Sequence, residues 1–252
     1  MKKWLKFSLI AVCVILATVF IAFLFWGMTP VKASEGVKAL LESSDVVTVF
    51  VSGKGDVIFE PKGVTVLAGV VFYPGGHVEH VAYAPLAYML AQNGMKVVVL
   101  NVPLSLAFFR IDGAREYIEK DTNIKWFVAG HSLGGVAACE FARKNTGLVK
   151  GLILLASYPA RDMSNFDVPV LSLLGSNDGL VSQEKWNEKK NLLPRYTEYF
   201  LIQGGNHSQF GEYGLQRHDK LAEISSIKQK QITVNKIYEF VLKNVEPPHV
   251  SQ

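Results

Sequence analysis

Little in this 252-residue sequence speaks for disulfide, metal or phosphate chemistry. It holds two cysteines, Cys13 inside an apolar N-terminal run and Cys139 far downstream, so the folded part has one thiol and no internal disulfide. Cys139 reads as a small core residue. The six histidines and two cysteines show no metal-ligand spacing, and no phosphate-cradling glycine loop occurs, so neither a metal nor another cofactor is expected. Internal repeats and low-complexity linkers are missing too. The folded part also lacks an excess of either charge. The chain is formally +4, but four of its 26 basic residues and none of its 22 acidic ones fall within residues 1–33, which leaves the remainder balanced. A neutral domain gives no footing to nucleic acid or an acidic polymer as partner.

Apolar sequence is plentiful at the start. Lys2, Lys3 and Lys6 precede 22 uncharged, mostly apolar residues, Phe7 to Met28. Signal-peptide cores run about 7–15 residues and a bilayer span needs about 20, so the length favours a retained membrane anchor through residues 7–28. Val31-Lys32-Ala33 supplies the small residues a signal peptidase reads, which keeps cleavage near Ala33 and secretion as the alternative. The lysine bias places the N-terminus in the cytoplasm and the globular part outside it. Residues 1–33 are thus the targeting segment and 34–252 one compact domain.

Within that domain, Val46–Val51 and Val57–Phe59 read as an antiparallel strand pair across Gly53-Lys54-Gly55. Strands and helices then alternate. The strands are Val66–Tyr73, Lys96–Leu100, Trp126–Ala129, Gly151–Leu155, Val168–Leu174 and Thr197–Ile202. Helices are expected at His80–Asn93, Asp112–Lys120, after Gly135, near Ser182–Lys190 and at the C-terminus. Such alternation predicts an α/β fold with a mainly parallel central sheet, helices on both faces, and ligands at the carboxyl ends of its strands.

Gly130-His131-Ser132-Leu133-Gly134 joins an apolar strand to a helix, the setting in which Gly-x-Ser-x-Gly forms a nucleophile elbow. The turn is so tight that residues flanking Ser132 must be small. A serine hydroxyl needs a base, and the base needs a partner that fixes its tautomer. Asp178 follows the strand that ends at Leu174, and His207 follows the next strand behind Gly204-Gly205, in the serine, acid, histidine order of this architecture. Rivals are weaker. His131 points away from its neighbour and supports the elbow, while His77 and His80 suit substrate contact or solvation. His218 opens the last helix, and Asp162 and Asp167 precede a strand. For an oxyanion, the expected donors are the amides of Leu133 and Gly76, the latter in the Pro74-Gly75-Gly76 turn. Tyr73, His77, Tyr158, Phe166 and Phe210 are candidates to line the substrate site. Ser157 to Asp167 is too short for a large lid, which leaves the site open.

Taken in order, Phe72-Tyr73-Pro74-Gly75-Gly76, Gly130-His131-Ser132-Leu133-Gly134-Gly135, Gly175-Ser176-Asn177-Asp178 and Gly204-Gly205-Asn206-His207 resemble the capless bacterial α/β-hydrolases of the dienelactone-hydrolase-like group, over about residues 64–245. The stretch from Gly204 to Gly214 also resembles that of membrane-attached or exported bacterial hydrolases. Two departures stand out. Dienelactone hydrolases use a cysteine nucleophile where this chain has Ser132, so their substrate does not carry over. Many relatives open the oxyanion loop with His-Gly, where this chain has Pro74-Gly75. The expected activity is hydrolysis of a small carboxylic ester or thioester through Ser132, His207 and Asp178. Acyl transfer by the same residues, or a non-catalytic binding protein on the same fold, are the alternatives.

Overall fold

The structure is a computed structural model that describes residues 2–245; Met1 and residues 246–252, the tail of the expected 34–252 domain, lie outside the described residues. Eight strands form one sheet: β1 (Val47–Val51), β2 (Val57–Pro61), β3 (Ala68–Tyr73), β4 (Met95–Val99), β5 (Trp126–His131), β6 (Gly151–Leu155), β7 (Val170–Gly175) and β8 (Glu198–Ile202). Their order across the sheet is β1-β2-β4-β3-β5-β6-β7-β8. β1 and β2 pair antiparallel, as does β2 with β4, and every later pair is parallel. The helices are α1 (Lys2–Met28), α2 (Ala84–Gln92), α3 (Arg115–Lys120), α4 (Leu133–Lys144), α5 (Gln183–Lys189) and α6 (Ser226–Val245). This is the α/β-hydrolase fold.

Parallel strands covered on both faces should be apolar throughout. β3, β5, β6 and β7 are buried at every residue. Alternate side chains enter two cores. Val70, Phe72, Phe127 and Ile153 pack with α2 and α6, whereas Val71, Tyr73, Val128 and Leu154 pack with α4 and its Phe141. Burying one such aromatic contributes about 2–3 kcal/mol.

Local chemistry shifts some boundaries. The helix expected at His80–Asn93 begins as a 3₁₀ turn, His80–Tyr83, before α2. Pro85 has no amide hydrogen to give and so sits in the first turn of α2. The helix expected at Asp112–Lys120 is likewise a 3₁₀ segment, Ala107–Ala114, followed by the short α3. The last helix starts at Ser226, so His218 does not open it. That histidine is exposed in the preceding loop with φ +72°.

By length and composition Lys6–Met28 meets the requirement for a membrane span, and a signal sequence near an N-terminus meets the same requirement. Only the last turns of this helix touch the domain. Gly27 lies against Leu104, where an added Cβ would come within 2.7 Å of the leucine Cβ. The chain then runs over the domain surface: Val31 bridges in parallel to Val78, the Ser34 amide donates to the Glu212 carbonyl at 2.8 Å, and a 3₁₀ turn, Glu35–Leu41, buries Val37. The expected boundary at Ala33 therefore falls within a segment packed on the domain.

Candidate active site

β5 passes into α4 through Ser132, whose backbone sits at φ +52° and ψ −123°. A non-glycine residue in this region is strained and persists only where its surroundings fix it. Here the Ser132 amide donates to the Leu155 carbonyl at 2.9 Å, and the Ser157 hydroxyl donates to the Ser132 carbonyl at 2.7 Å. A Cβ on Gly130 would overlap the Gly134 carbonyl, and one on Gly134 would overlap the carbonyls of Tyr73 and Pro74. Nothing larger than glycine fits at either position. The Ser132 side chain is left half-buried at the first turn of α4, with the Leu133 amide beginning the helix.

The loop after β3 closes on this turn. A Cβ on Gly76 would approach Leu133 Cδ2 to 2.8 Å, so Gly76 and Leu133 are adjacent. The loop is held from behind: the Gly75 amide donates to the Tyr83 hydroxyl at 3.0 Å, and that hydroxyl is hydrogen-bonded to His131 Nδ1 at 2.8 Å. His131 is fully buried. Desolvation, and then the proximity of His207, hold its pKa well below the usual value against an opposing contact from the His207 backbone, so the ring is neutral.

Asp178 and His207 meet at the carboxyl ends of β7 and β8. His207 Nδ1 lies 2.9 Å from Asp178 Oδ2, and both side chains are buried. The other carboxylate oxygen accepts the amides of Leu180 at 2.9 Å and Val181 at 2.7 Å. An acceptor-only carboxylate facing Nδ1 places the imidazole proton there and leaves Nε2 as the lone-pair nitrogen. His207 Nε2 is buried and has no hydrogen-bond partner in the structure. The His207 ring lies 4.5 Å, centroid to centroid, from the ring of His131, which adjoins Ser132 in the chain. Serine elbow, Gly76 loop and Asp178–His207 pair thus share one edge of the sheet.

The residues expected to line the site divide. Tyr73 does not face it. Strand alternation turns its ring toward Phe141 on α4, and its hydroxyl donates to the Ile111 carbonyl. Phe166 is likewise buried among Met163, Val168 and Leu193 in the same core. His77 follows Gly76 with φ +57°, its ring stacked on Trp26 at 4.2 Å and 6°, with Nε2 2.8 Å from the Trp26 carbonyl. Phe210 is buried with its ring 5.6 Å from His131, behind the site. Tyr158 is half-buried after β6, with the Lys189 ammonium 5.9 Å from its ring centroid. His80 donates to the Gly55 carbonyl away from the serine. Asp162 and Asp167 are exposed in the loop before β7.

Two supporting residues carry no signal in the sequence. Asp219 ties the two loops that carry the pair: its carboxylate accepts the Gly179 amide at 2.9 Å, the Ser208 amide at 2.8 Å and the Ser208 hydroxyl at 2.6 Å. Tyr83 joins Gly75 to His131. Neither residue stands at a strand end or in a glycine motif, so no local pattern marks it. Among the described residues, no three His, Cys, Asp or Glu side chains converge as metal ligands would.

The alpha/beta hydrolase family model matches residues 69–231, which spans the Gly76 loop, the serine elbow, Asp178 and His207. The chain belongs to the alpha/beta hydrolase family. Among solved structures it is similar to a predicted CIB-like hydrolase from Thermoplasma acidophilum, with a TM-score of 0.55 and 16% identity over 77% of this chain and 99% of that one. That similarity is one of fold. No curated protein sequence matches the chain.

Proposed function

We propose that the protein is a serine hydrolase of carboxylesterase type, acting on an ester or thioester carbonyl through Ser132, His207 and Asp178. The observation that carries this reading is the free Nε2 of His207, buried at the edge where Ser132 is held in a strained backbone conformation, with Nδ1 engaged by Asp178. Ser132 Oγ attacks the carbonyl carbon and gives its proton to His207 Nε2. The oxyanion that forms is held by the amides of Gly76 and Leu133. Its collapse breaks the carbonyl-carbon bond to the leaving oxygen or sulfur, which departs with the proton from His207. Water then enters by the same path, and the acid is released.

His77 and Tyr158 belong to the surroundings of the substrate in this reading, while Phe210 packs behind the site against His131. Within the family the motifs resemble the dienelactone-hydrolase-like group, with serine in place of its cysteine. α1 serves as a single anchor with the N-terminal lysines in the cytoplasm and the domain outside. The experiment is fluorophosphonate labelling of the full chain beside Ser132→Ala, followed by an ester panel with and without an acceptor alcohol. Labelling lost in the variant, with release of free acid, supports hydrolysis. A wild type that takes no label marks a binding protein, and product on the alcohol marks a transferase.

A further inference from the structure

The last turn of α1 is fixed to the same edge of the sheet as Ser132, Asp178 and His207. Its Trp26 stacks on His77, one residue beyond Gly76, and its Gly27 packs on Leu104, in the loop that leaves the carboxyl end of β4. The His77 amide in turn donates to the Ser105 carbonyl at 2.8 Å, which links the two loops that receive the helix. This helix carries 23 residues, Lys6–Met28, and apart from its last turns, which meet the domain at Trp26 and Gly27, its apolar surface is left uncovered. About 20 such residues match the hydrocarbon core of a bilayer, and a tryptophan at the end of a span sits at headgroup level.

The loops of that edge are apolar at their tips. Phe108 and Phe109 (55% exposed) follow β4, Leu180 follows β7, and Leu215 and Leu221 (76% exposed) follow β8. Leu180 and Leu221 belong to loops in contact, since Asn177 donates to the Leu221 carbonyl and the Asp219 carboxylate holds the Gly179 amide. Large apolar side chains spread round one rim, where an apolar helix leaves the domain, call for a cover continuous with that of the helix.

We propose that this rim lies on the bilayer that α1 enters, with Phe108 and Phe109 in the interface, and that the substrate is an amphiphilic ester drawn from the membrane. Its acyl chain stays among the lipid tails while its carbonyl, at headgroup depth, reaches Ser132 beside Trp26 and His77. The inference rests on the hydrolase reading for its chemistry, and on the geometry of the rim alone for its orientation.

The test uses the full chain in vesicles of phosphatidylcholine and phosphatidylglycerol at 3:1. In a Cys13→Ser background, Phe108→Cys and Lys62→Cys are each labelled with an environment-sensitive nitrobenzoxadiazole; Lys62 is exposed at the opposite edge, and the buried Cys139 does not compete. At 108 the emission is blue-shifted and shielded from an aqueous quencher, and at 62 it is not. Equal exposure at both positions overturns the proposal. For substrate class, Phe108→Asp/Phe109→Asp is compared with wild type on soluble p-nitrophenyl acetate and on monooleoylglycerol in the vesicles. The acetate rate stays within about twofold, and the vesicle rate falls at least tenfold. Equal losses on both substrates, or none on either, refute the membrane-drawn substrate. Should neither ester turn over in a wild type that also resists fluorophosphonate, the hydrolase reading fails, and the fluorophore pair still decides the orientation.

Discussion

Two buried carboxylates stand at the carboxyl edge of the parallel strands, at opposite ends of the sheet, and they are used differently. Asp56, at the start of β2, accepts both terminal nitrogens of Arg110, the Tyr117 hydroxyl at 2.5 Å and the Asn101 amide at 2.7 Å. Burial pushes its pKa up, but the hydrogen bonds from Arg110, Tyr117 and Asn101 outweigh that and hold the carboxyl below its usual value. Every strong donor in that cluster is matched, and its effect is to pin the loop after β4 to the β1–β2 turn. Asp178 is as well satisfied as Asp56, yet its partner is not. The imidazole it holds keeps one buried nitrogen without a partner. Saturation marks the first carboxylate as part of the scaffold, and the open valence beside the second marks where a reacting group can enter.

That contrast is broken most severely at the serine. Ser132→Ala and His207→Ala each lower ester turnover by about 10⁴-fold or more, because members of such a group act as a unit. Thermal unfolding of Ser132→Ala stays near wild type. Asp178→Asn keeps the shape of the pair but favours the wrong imidazole tautomer, and lowers kcat by about 10³–10⁴-fold in steady-state assays. At the other end of the sheet, Arg110→Ala strands a buried charge. It costs about 3–5 kcal/mol of stability in denaturant titration, with turnover per folded molecule unchanged. Tyr83→Phe removes the hydroxyl between Gly75 and His131; about 1–3 kcal/mol is lost, and kcat falls several-fold as the Gly76 loop loosens, with KM little changed. The smallest effect is in acid. A carboxyl whose folded pKa lies below its unfolded value of about 3.8 contributes stability that is fully present above that pH. The contribution is lost as the pH falls through the folded value. Unfolding midpoints measured between about pH 5 and pH 2 therefore slope less steeply in Asp56→Asn than in wild type.

Much of this edge was legible because each of its parts closes a strand with small residues. Gly130 and Gly134 bracket Ser132, Gly175 precedes Asp178, and Gly204-Gly205 precedes His207, so position along the chain carried position in space. Tyr73 stands at a strand end, yet alternation decides where it points: it shares a face with Val71, and that face meets α4 and not the site. The sequence puts His218 at the opening of a helix that in the structure begins eight residues later, since the polar stretch before Ser226 has no periodicity to separate loop from first turn. Asp219 and Tyr83 were illegible for another reason. Each acts by joining segments that lie far apart in sequence, and no spacing rule reaches across a fold. The packing of residues 27–41 is hidden in the same way, behind an apolar run that reads as a membrane anchor or signal peptide and carries no mark of contact with the domain.

That packing bears on when the chain is open to cutting near residue 33. The Ala33 amide donates to the Glu79 carboxylate, its neighbours Val31 and Ser34 donate to His77 and Glu212, and Val31 in turn accepts the Glu79 amide. A peptidase needs its target drawn out as an extended strand free of other bonds. Once this stretch has docked on the domain surface, those hydrogen bonds hold the chain around residue 33 in place, and any cut there has to come before the docking or after it is undone.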